Sequence, residues 1–558
     1  MVTMFQTSVC AFLTTIALLS TSVHGASILP AGFHRRFLRA ARLPAEAPTP
    51  YNDFDCVTRN FTQKLDHFNG SDTRTFNQLI YVCPKAWPTD PATAAKNGSL
   101  FVFLGNEAPL TNIAQPIIFE NAVRKNALIL EVEHRYYGQS VPFEPQPISN
   151  MLLTPQYKYL TVEQVMADTK AVVESIRQEF NINNTRVPTL VVGGSYGGDI
   201  SAYHRFTYPD TFQAAISASA PFDYIFSTSR MTDTQENYHR IIAKAVDHAM
   251  NGSTLCRTTA RQGMDVVRAS DTNATARQEI AQKLGLCNAA TALVNASSVD
   301  PLLMNLYDPY VGSVQLNGQK PFPTYVNTTC AAVEQYITAN PGDYVGALAA
   351  GYRAYNESGP GDCLSFNMTY FLITNPYNDT AGYAGSYSYQ QCTQYFVTSS
   401  ECESNGENGT ILPVIPVTAD RLRQECEQAY GADVPEGSVP PVTQLFYSDL
   451  PKLGQVVMTN GDMDAWGGGS ILSDEPGVKM ATVIYQNASH CTDTHSYNWN
   501  NPVEPPVYKQ QRAEAVDAAA VWMEQYRNGT NPPPSWGFRI TPPKFGLLFI
   551  TCLGMILA

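Results

Sequence analysis

Four short stretches of the chain are apolar at nearly every position: Leu100-Phe101-Val102-Phe103-Leu104, Ala127-Leu128-Ile129-Leu130, Thr189-Leu190-Val191-Val192 and Ala214-Ala215-Ile216. Strands that are apolar on both faces belong to a parallel sheet with helices covering each side. Between the second and third runs, Thr161-Val162-Glu163-Gln164 has the form of a helix capping box. Val162, Val165, Met166, Val172, Val173, Ile176 and Phe180 follow at helical spacing. Strand, helix, strand predicts a βαβ unit and an α/β fold. Strand signals return at Gln455-Val456-Val457-Met458 and Thr482-Val483-Ile484-Tyr485. Between the two strand regions Cys, Asn and Tyr are frequent, and helical segments such as Ile241 to Met250 and Thr275 to Leu284 predict an inserted, mainly helical region.

The third run leads directly into Gly193-Gly194-Ser195-Tyr196-Gly197, and the next stretch, Asp199 to Phe206, can form a helix. A strand, a Gly-x-Ser-x-Gly turn and a helix form the elbow that exposes a nucleophilic serine at the edge of a sheet. Glycines allow the sharp turn, which puts the Ser195 hydroxyl outside and aims the Tyr196 N–H at a developing oxyanion. A second oxyanion donor comes from the loop after an earlier strand. Gly105-Asn106-Glu107 follows Leu104, which nominates the backbone of Asn106, or of Glu107 next to it.

A serine hydroxyl needs a base to take its proton, and in this fold the partners follow in the order Ser, acid, His. Asn460-Gly461-Asp462-Met463-Asp464-Ala465-Trp466 and Asn487-Ala488-Ser489-His490-Cys491 each follow a predicted strand, so both arrive at the sheet edge that holds Ser195. His490 is the expected base, and Asp462 or Asp464 the acid that orients it. The spacing Asp462-x-Asp464-x-Trp466 falls short of a calcium loop, whose fifth ligand would be Trp466 and twelfth Ser473. His490 and His495 have no third ligand at a zinc spacing. The expectation is therefore no metal and no cofactor.

The ends and the punctuation of the chain indicate a compartment. Val9 to Leu19 is apolar, and Val23-His24-Gly25 offers a cleavage site before Ala26, which reads as a signal peptide over 1–25. Fourteen Asn-x-Ser/Thr sequons follow, at Asn60, Asn69, Asn97, Asn183, Asn251, Asn273, Asn295, Asn327, Asn356, Asn367, Asn378, Asn408, Asn487 and Asn528, which predict a glycosylated surface. Twelve Cys occur with no Cys-x-x-Cys pair, and ten lie between the two ends, so disulfides in an oxidising compartment are expected. Their pairing is not readable, and Cys491 can equally be a free buried thiol. Phe545 to Ala558 is an apolar tail shorter than the about twenty residues of a bilayer span. Three readings fit it: a GPI-attachment signal, an odd tail on a soluble chain, or an anchor helix. Arg36-Phe37-Leu38-Arg39 sits in a short segment that reads as a linker, with a propeptide or targeting leader as alternatives.

A formal net charge of -13 argues against a nucleic-acid partner, which would call for a basic face. The predicted organisation is signal peptide 1–25, leader or linker 26–50, first part of an α/β core 51–221, helical insertion 222–375, second part of the core 376–530, and Pro-rich spacer with apolar tail 531–558.

Several blocks in order resemble the S28 serine peptidases. They are Gln63-Lys64-Leu65-Asp66-His67-Phe68, Gly105-Asn106-Glu107, Glu133-His134-Arg135-Tyr136-Tyr137-Gly138, Tyr159-Leu160-Thr161-Val162-Glu163-Gln164, and Gly193 to Gly198 continuing through Arg205, Tyr208-Pro209 and Ser219-Ala220-Pro221. The resemblance implies an α/β-hydrolase core with an inserted helical cap, and a Ser195, Asp464, His490 triad: the family's Asn-Gly-x-x-Asp-Pro-Trp motif selects Asp464 over Asp462. It further implies an exopeptidase acting next to proline on peptide chain ends, as a Pro-X carboxypeptidase or a dipeptidyl peptidase, outside the cell or in a lysosome or vacuole. A second copy of the chain is a further candidate partner. Ala465 replaces the family's Pro, Leu79 a frequent Arg, and Tyr387 a frequent Trp. A lipase or esterase on the same fold, and a silent binding or effector protein, are the competing readings.

Overall fold

A computed structural model describes residues 53–110, 115–143, 155–222, 231–289, 293, 295–317, 325–359, 361–366, 384–395, 404–430, 454–473, 480–495 and 504–530. The expected signal peptide, leader and C-terminal tail lie outside the described residues, as do Cys402, Asn367 and Asn378.

Eight strands form one sheet in the order β1-β2-β4-β3-β5-β6-β7-β8. They are β1 (Val57–Lys64), β2 (Thr75–Cys83), β3 (Ser99–Leu104), β4 (Ala127–Val132), β5 (Thr189–Gly194), β6 (Ala214–Ala218), β7 (Val456–Gly461) and β8 (Met480–Tyr485). From β4 to β8 every pairing is parallel, while β1–β2 and β2–β4 are antiparallel. The six predicted strands are all present, and the α/β-hydrolase fold class is borne out. The β1–β2 hairpin was not anticipated. Most of β1 (VTRNFTQK) is exposed or half-buried, as an outer strand allows, so it carries no apolar run.

The period of two splits each central strand between two cores. Leu100, Val102 and Leu104 of β3 face one layer with α1 (Val162–Glu179) and α2 (Tyr196–Thr207), packing against Val165, Ile176, Ile200 and Tyr203. Phe101, Leu190, Val192, Ile216 and Val457 face the other, against Ile117, Phe119 and the helix Pro506–Arg527 through Val516 and Trp522. The Thr161 side chain caps α1 by accepting from the Gln164 N–H. The Gln164 side chain does not return the cap. It accepts from the His67 N–H and donates to Asp66, tying the β1–β2 loop to the helix start.

Between β6 and β7 the helices Met231–Ala249, Leu255–Ala269, Ala274–Leu284, Val299–Leu316, Tyr325–Ala339 and Tyr344–Asn356 build a separate apolar core. That core takes in Ile411, Leu412 and Ile415, and also Met463 and Ala465 from the loop after β7. The helical layer is thereby packed onto the segment that carries Asp464. Four disulfides occur among the described residues: Cys56–Cys83 at the ends of the β1–β2 hairpin, Cys256–Cys330 and Cys287–Cys363 in the helical layer, and Cys392–Cys426. Cys491 is a buried free thiol. Among the described residues no helix is long and apolar enough to cross a membrane.

Candidate active site

Ser195 stands between β5 and α2 with φ 58° and ψ -129°, a conformation disfavoured for a residue with a Cβ. The surroundings hold it there. Its N–H donates to the Ala218 carbonyl at the end of β6. A Cβ on Gly193 would lie 2.0 Å from the Gly197 carbonyl oxygen, and one on Gly198 2.7 Å from the Ala218 carbonyl oxygen. Gly197 has ordinary contact distances instead, 3.4 Å to the Leu104 oxygen and 3.6 Å to the Asn106 Cβ. The elbow glycines crowded by backbone are therefore Gly193 and Gly198. A Gly193→Ala substitution is expected to cost about 3 kcal/mol or more in stability, since the clash is with backbone that cannot step aside. Thermal unfolding would show it as a lowered Tm, together with loss of serine-directed labelling.

Both partner segments leave strands that run parallel to β5, so they emerge at the same sheet edge. Asp464 is 1% exposed and His490 6%. His490 Nδ1 lies 2.9 Å from Oδ1 and 3.0 Å from Oδ2 of Asp464, and Oδ1 also accepts from the Trp466 N–H at 3.0 Å. Burial alone would lower the His490 pKa, but the carboxylate of Asp464 and the Cys491 thiol beside it raise it well above the ordinary imidazole value. Asp462 turns elsewhere. Its Oδ1 accepts from the Asn487 N–H at 2.6 Å and its Oδ2 lies 3.6 Å from Lys244 Nζ of the helical layer. The structure thus pairs Asp464, not Asp462, with His490.

The segment after β8 packs directly on the elbow. A Cβ on Gly194, adjacent to Ser195, would meet Thr494 Oγ1 at 2.5 Å and Cys491 Sγ at 3.1 Å. The Cys491 N–H donates to Ser219 Oγ, just beyond β6. His495 is half-buried, and desolvation, then the charge of His490, lowers its pKa to about 4.

The loop after β3 reaches the elbow from the other side. Gly105 N–H donates to the Val132 carbonyl, and a Cβ on Gly105 would crowd Val132 and His134 at 2.9 Å, so a side chain has no room where the loop passes β4. Asn106 then lies against Gly197. Tyr196 is fixed by a buried chain of hydrogen bonds: its hydroxyl lies 3.0 Å from His134 Nε2 and accepts from Gln390 Nε2 at 2.8 Å, while Gln390 Oε1 accepts from the Tyr137 hydroxyl. His134 and Tyr137 lie in a sequence block that the resemblance singled out, but nothing in that block signalled that they converge, with Gln390, on the residue after Ser195. The helical layer closes over the acid: Trp466 Nε1 donates to Gln315 Oε1, its ring packs edge-on to Tyr238 at 5.2 Å, and it lies 6.2 Å from the His490 ring.

Two further carboxylates stand nearby. Asp199, on the first turn of α2, is fully buried, and burial, then the field of Glu107, lifts its pKa well above the ordinary value. Glu107 is raised chiefly by burial, while the charge of His490 works against that rise.

Comparison with known proteins identifies the family. The profile of the serine carboxypeptidase S28 family matches residues 63–512. A thymus-specific serine protease of Mus musculus is 26% identical over 83% of this chain and 87% of its own, and a lysosomal Pro-X carboxypeptidase of Bos taurus is 25% identical over 87% of this chain and 93% of its own. Among solved structures, a proline iminopeptidase of Mycobacterium smegmatis overlaps with a TM-score of 0.31 at 12% identity, over 84% of this chain and 99% of its own. With the family profile covering most of its length, the chain belongs to the S28 serine carboxypeptidase family and is a serine-type peptidase.

Proposed function

We propose that the protein is a serine exopeptidase that hydrolyses peptide bonds next to proline through Ser195, His490 and Asp464. The observation that carries the reading is the buried Asp464–His490 pair at 2.9 Å, at the same sheet edge as the strained Ser195 elbow. In this mechanism His490 Nε2 takes the Ser195 proton as Oγ attacks the scissile carbonyl. Asp464 holds the Nδ1 proton and stabilises the imidazolium. The oxyanion is met by the N–H groups of Tyr196 and Asn106. His490 then gives its proton to the leaving amine, and the acyl-enzyme is hydrolysed by water through the same groups in reverse.

The proline preference is supported by the name and the coverage of the Pro-X carboxypeptidase relative. The helical layer between β6 and β7 would act as the cap that restricts access to chain ends. Four disulfides fit an oxidising secretory or lysosomal compartment. Glycosylation is supported by exposure: of the twelve described sequon asparagines, eleven are exposed and Asn356 is half-buried.

Parallel assays test the reading. Purified protein is expected to release either the last residue of a blocked peptide with proline in the penultimate position, or an X-Pro dipeptide from a free N-terminus. It is expected to hydrolyse matched peptides with alanine for proline at least about 10-fold more slowly. Equal rates on the two series, or turnover of short-chain esters without either peptide, would overturn it.

A further inference from the structure

Several carboxylates elsewhere in the core have their partners. Asp168 meets Arg135 and His67, Glu133 accepts from Leu110, Gln139 and Ser140, and Asp493 accepts from Thr459. Asp199, like Glu131 of β4, is 0% exposed with neither carboxylate oxygen hydrogen-bonded among the described residues, and unlike Glu131 it stands on the helix that begins at the nucleophile. Glu107 Oε2 is likewise buried without one. The two acids come from the two segments that flank the nucleophile. Asp199 lies four residues beyond Ser195 and its N–H donates to the Ser195 carbonyl, while Glu107 adjoins Asn106, which packs on Gly197. The field of Glu107 acts on Asp199, Tyr137 and Tyr196, that of Asp199 acts on Tyr196, and that of His490 acts on both acids. The one cation-forming group in that set, His490, is already paired with Asp464.

We propose that Glu107 and Asp199 form a cation-binding subsite beside Ser195, which takes an ammonium or guanidinium group of the peptide substrate. Buried carboxylates without partners are costly, and where they persist next to a reactive group they mark a site completed by a ligand. A substrate cation completes both acids at once with charge-assisted hydrogen bonds. The cation has two chemical sources. One is the free α-amine of a chain whose first two residues form the acyl group. The about 6–7 Å span of two extended residues is of the same size as the about 6 Å rise from Ser195 to Asp199 along α2. The other is a Lys or Arg side chain near the scissile bond. This inference rests on Ser195 being the nucleophile, and it names the substrate class of that same site.

The test compares kcat/KM of the intact protein on matched anilides: a free-amine X-Pro dipeptide, its N-acetyl counterpart, and N-acetyl dipeptides ending in Lys, Arg or norleucine. The expected result is a preference of at least about 100-fold for the cation-bearing member over its neutral counterpart. Loss of the preference on acetylation assigns the α-amine, and retention by the Lys or Arg substrates assigns the side chain. Asp199→Asn and Glu107→Gln are each expected to cut the preference to below about 10-fold, mainly through KM. A fluorophosphonate labelling rate for Ser195 within about 3-fold of the unsubstituted protein in Asp199→Asn shows that the nucleophile survives. Equal cleavage of charged and neutral members by the unsubstituted protein overturns the subsite without any variant, so a variant that fails to fold does not leave it untested. An equal fall on all substrates in Asp199→Asn overturns it as well. Failure of the unsubstituted protein to take the fluorophosphonate would instead strike the nucleophile assignment.

Discussion

Ser195→Ala is expected to lower peptidase turnover by at least about 10⁵-fold while the protein folds as before. Loss of the nucleophile from a serine triad leaves only the rate supplied by binding and the oxyanion donors, and the deficit runs to about 10⁶ in well-studied cases. Stability should change little, because the strained φ of 58° at this position weighs on alanine about as it does on serine. The N–H of residue 195 still reaches the Ala218 carbonyl in the variant. Unfolding curves within about 0.5 kcal/mol of each other, beside an activity difference of many decades, would separate chemistry from folding. Retained turnover at ordinary rates would remove Ser195 from the mechanism.

The second large effect divides two aspartates only two positions apart. Asp464→Asn is expected to lower kcat by about 10⁴, since an amide at this position holds the wrong imidazole tautomer. Asp462→Asn is expected to cost less than about 10-fold. Its carboxylate serves the Asn487 N–H and a partly exposed contact with Lys244, which is worth well under 1 kcal/mol after solvent screening. The two variants should also differ in pH dependence. Asp464 helps hold the His490 pKa up, and the base works only when neutral, so activity rises with pH only as a raised imidazole loses its proton. Asp464→Asn removes that charge, and the acid limb of its residual kcat/KM should move to lower pH. Asp462→Asn should leave the limb in place. A reversed ranking would move the acid to Asp462.

The parallel half of the sheet was legible because burial on both faces demands apolar residues at nearly every position, as in Leu100 to Leu104 and Thr189 to Val192. The antiparallel hairpin was not. Its outer strand, Val57–Lys64, meets water along most of its length and is spelled largely in polar letters. The serine elbow could be read because backbone crowding restricts what its turn accepts. The structure adds that Gly193 and Gly198 carry that restriction, while Gly197 has room. Asp462 and Asp464 could not be told apart by residue type, since both follow β7 and both can reach a histidine. Family resemblance favoured the second, and side-chain geometry separates them. Glu107 and Asp199 were invisible as a pair, because 92 positions separate them in the chain and neither stands in a pattern that marks an acid as buried. Only the packing of the loop after β3 onto α2 brings them together. Disulfide pairing was unreadable for the same reason.

The most direct test of the central claim is the covalent intermediate itself. The protein is treated with an active-site-directed fluorophosphonate, digested, and the adduct located by tandem mass spectrometry, alongside His490→Ala and a sample protected with a proline-containing peptide. The account predicts a single adduct on Ser195, formed in step with loss of activity, slowed by the peptide and nearly absent in His490→Ala. An adduct on another residue, or full loss of activity with Ser195 unmodified, would contradict it.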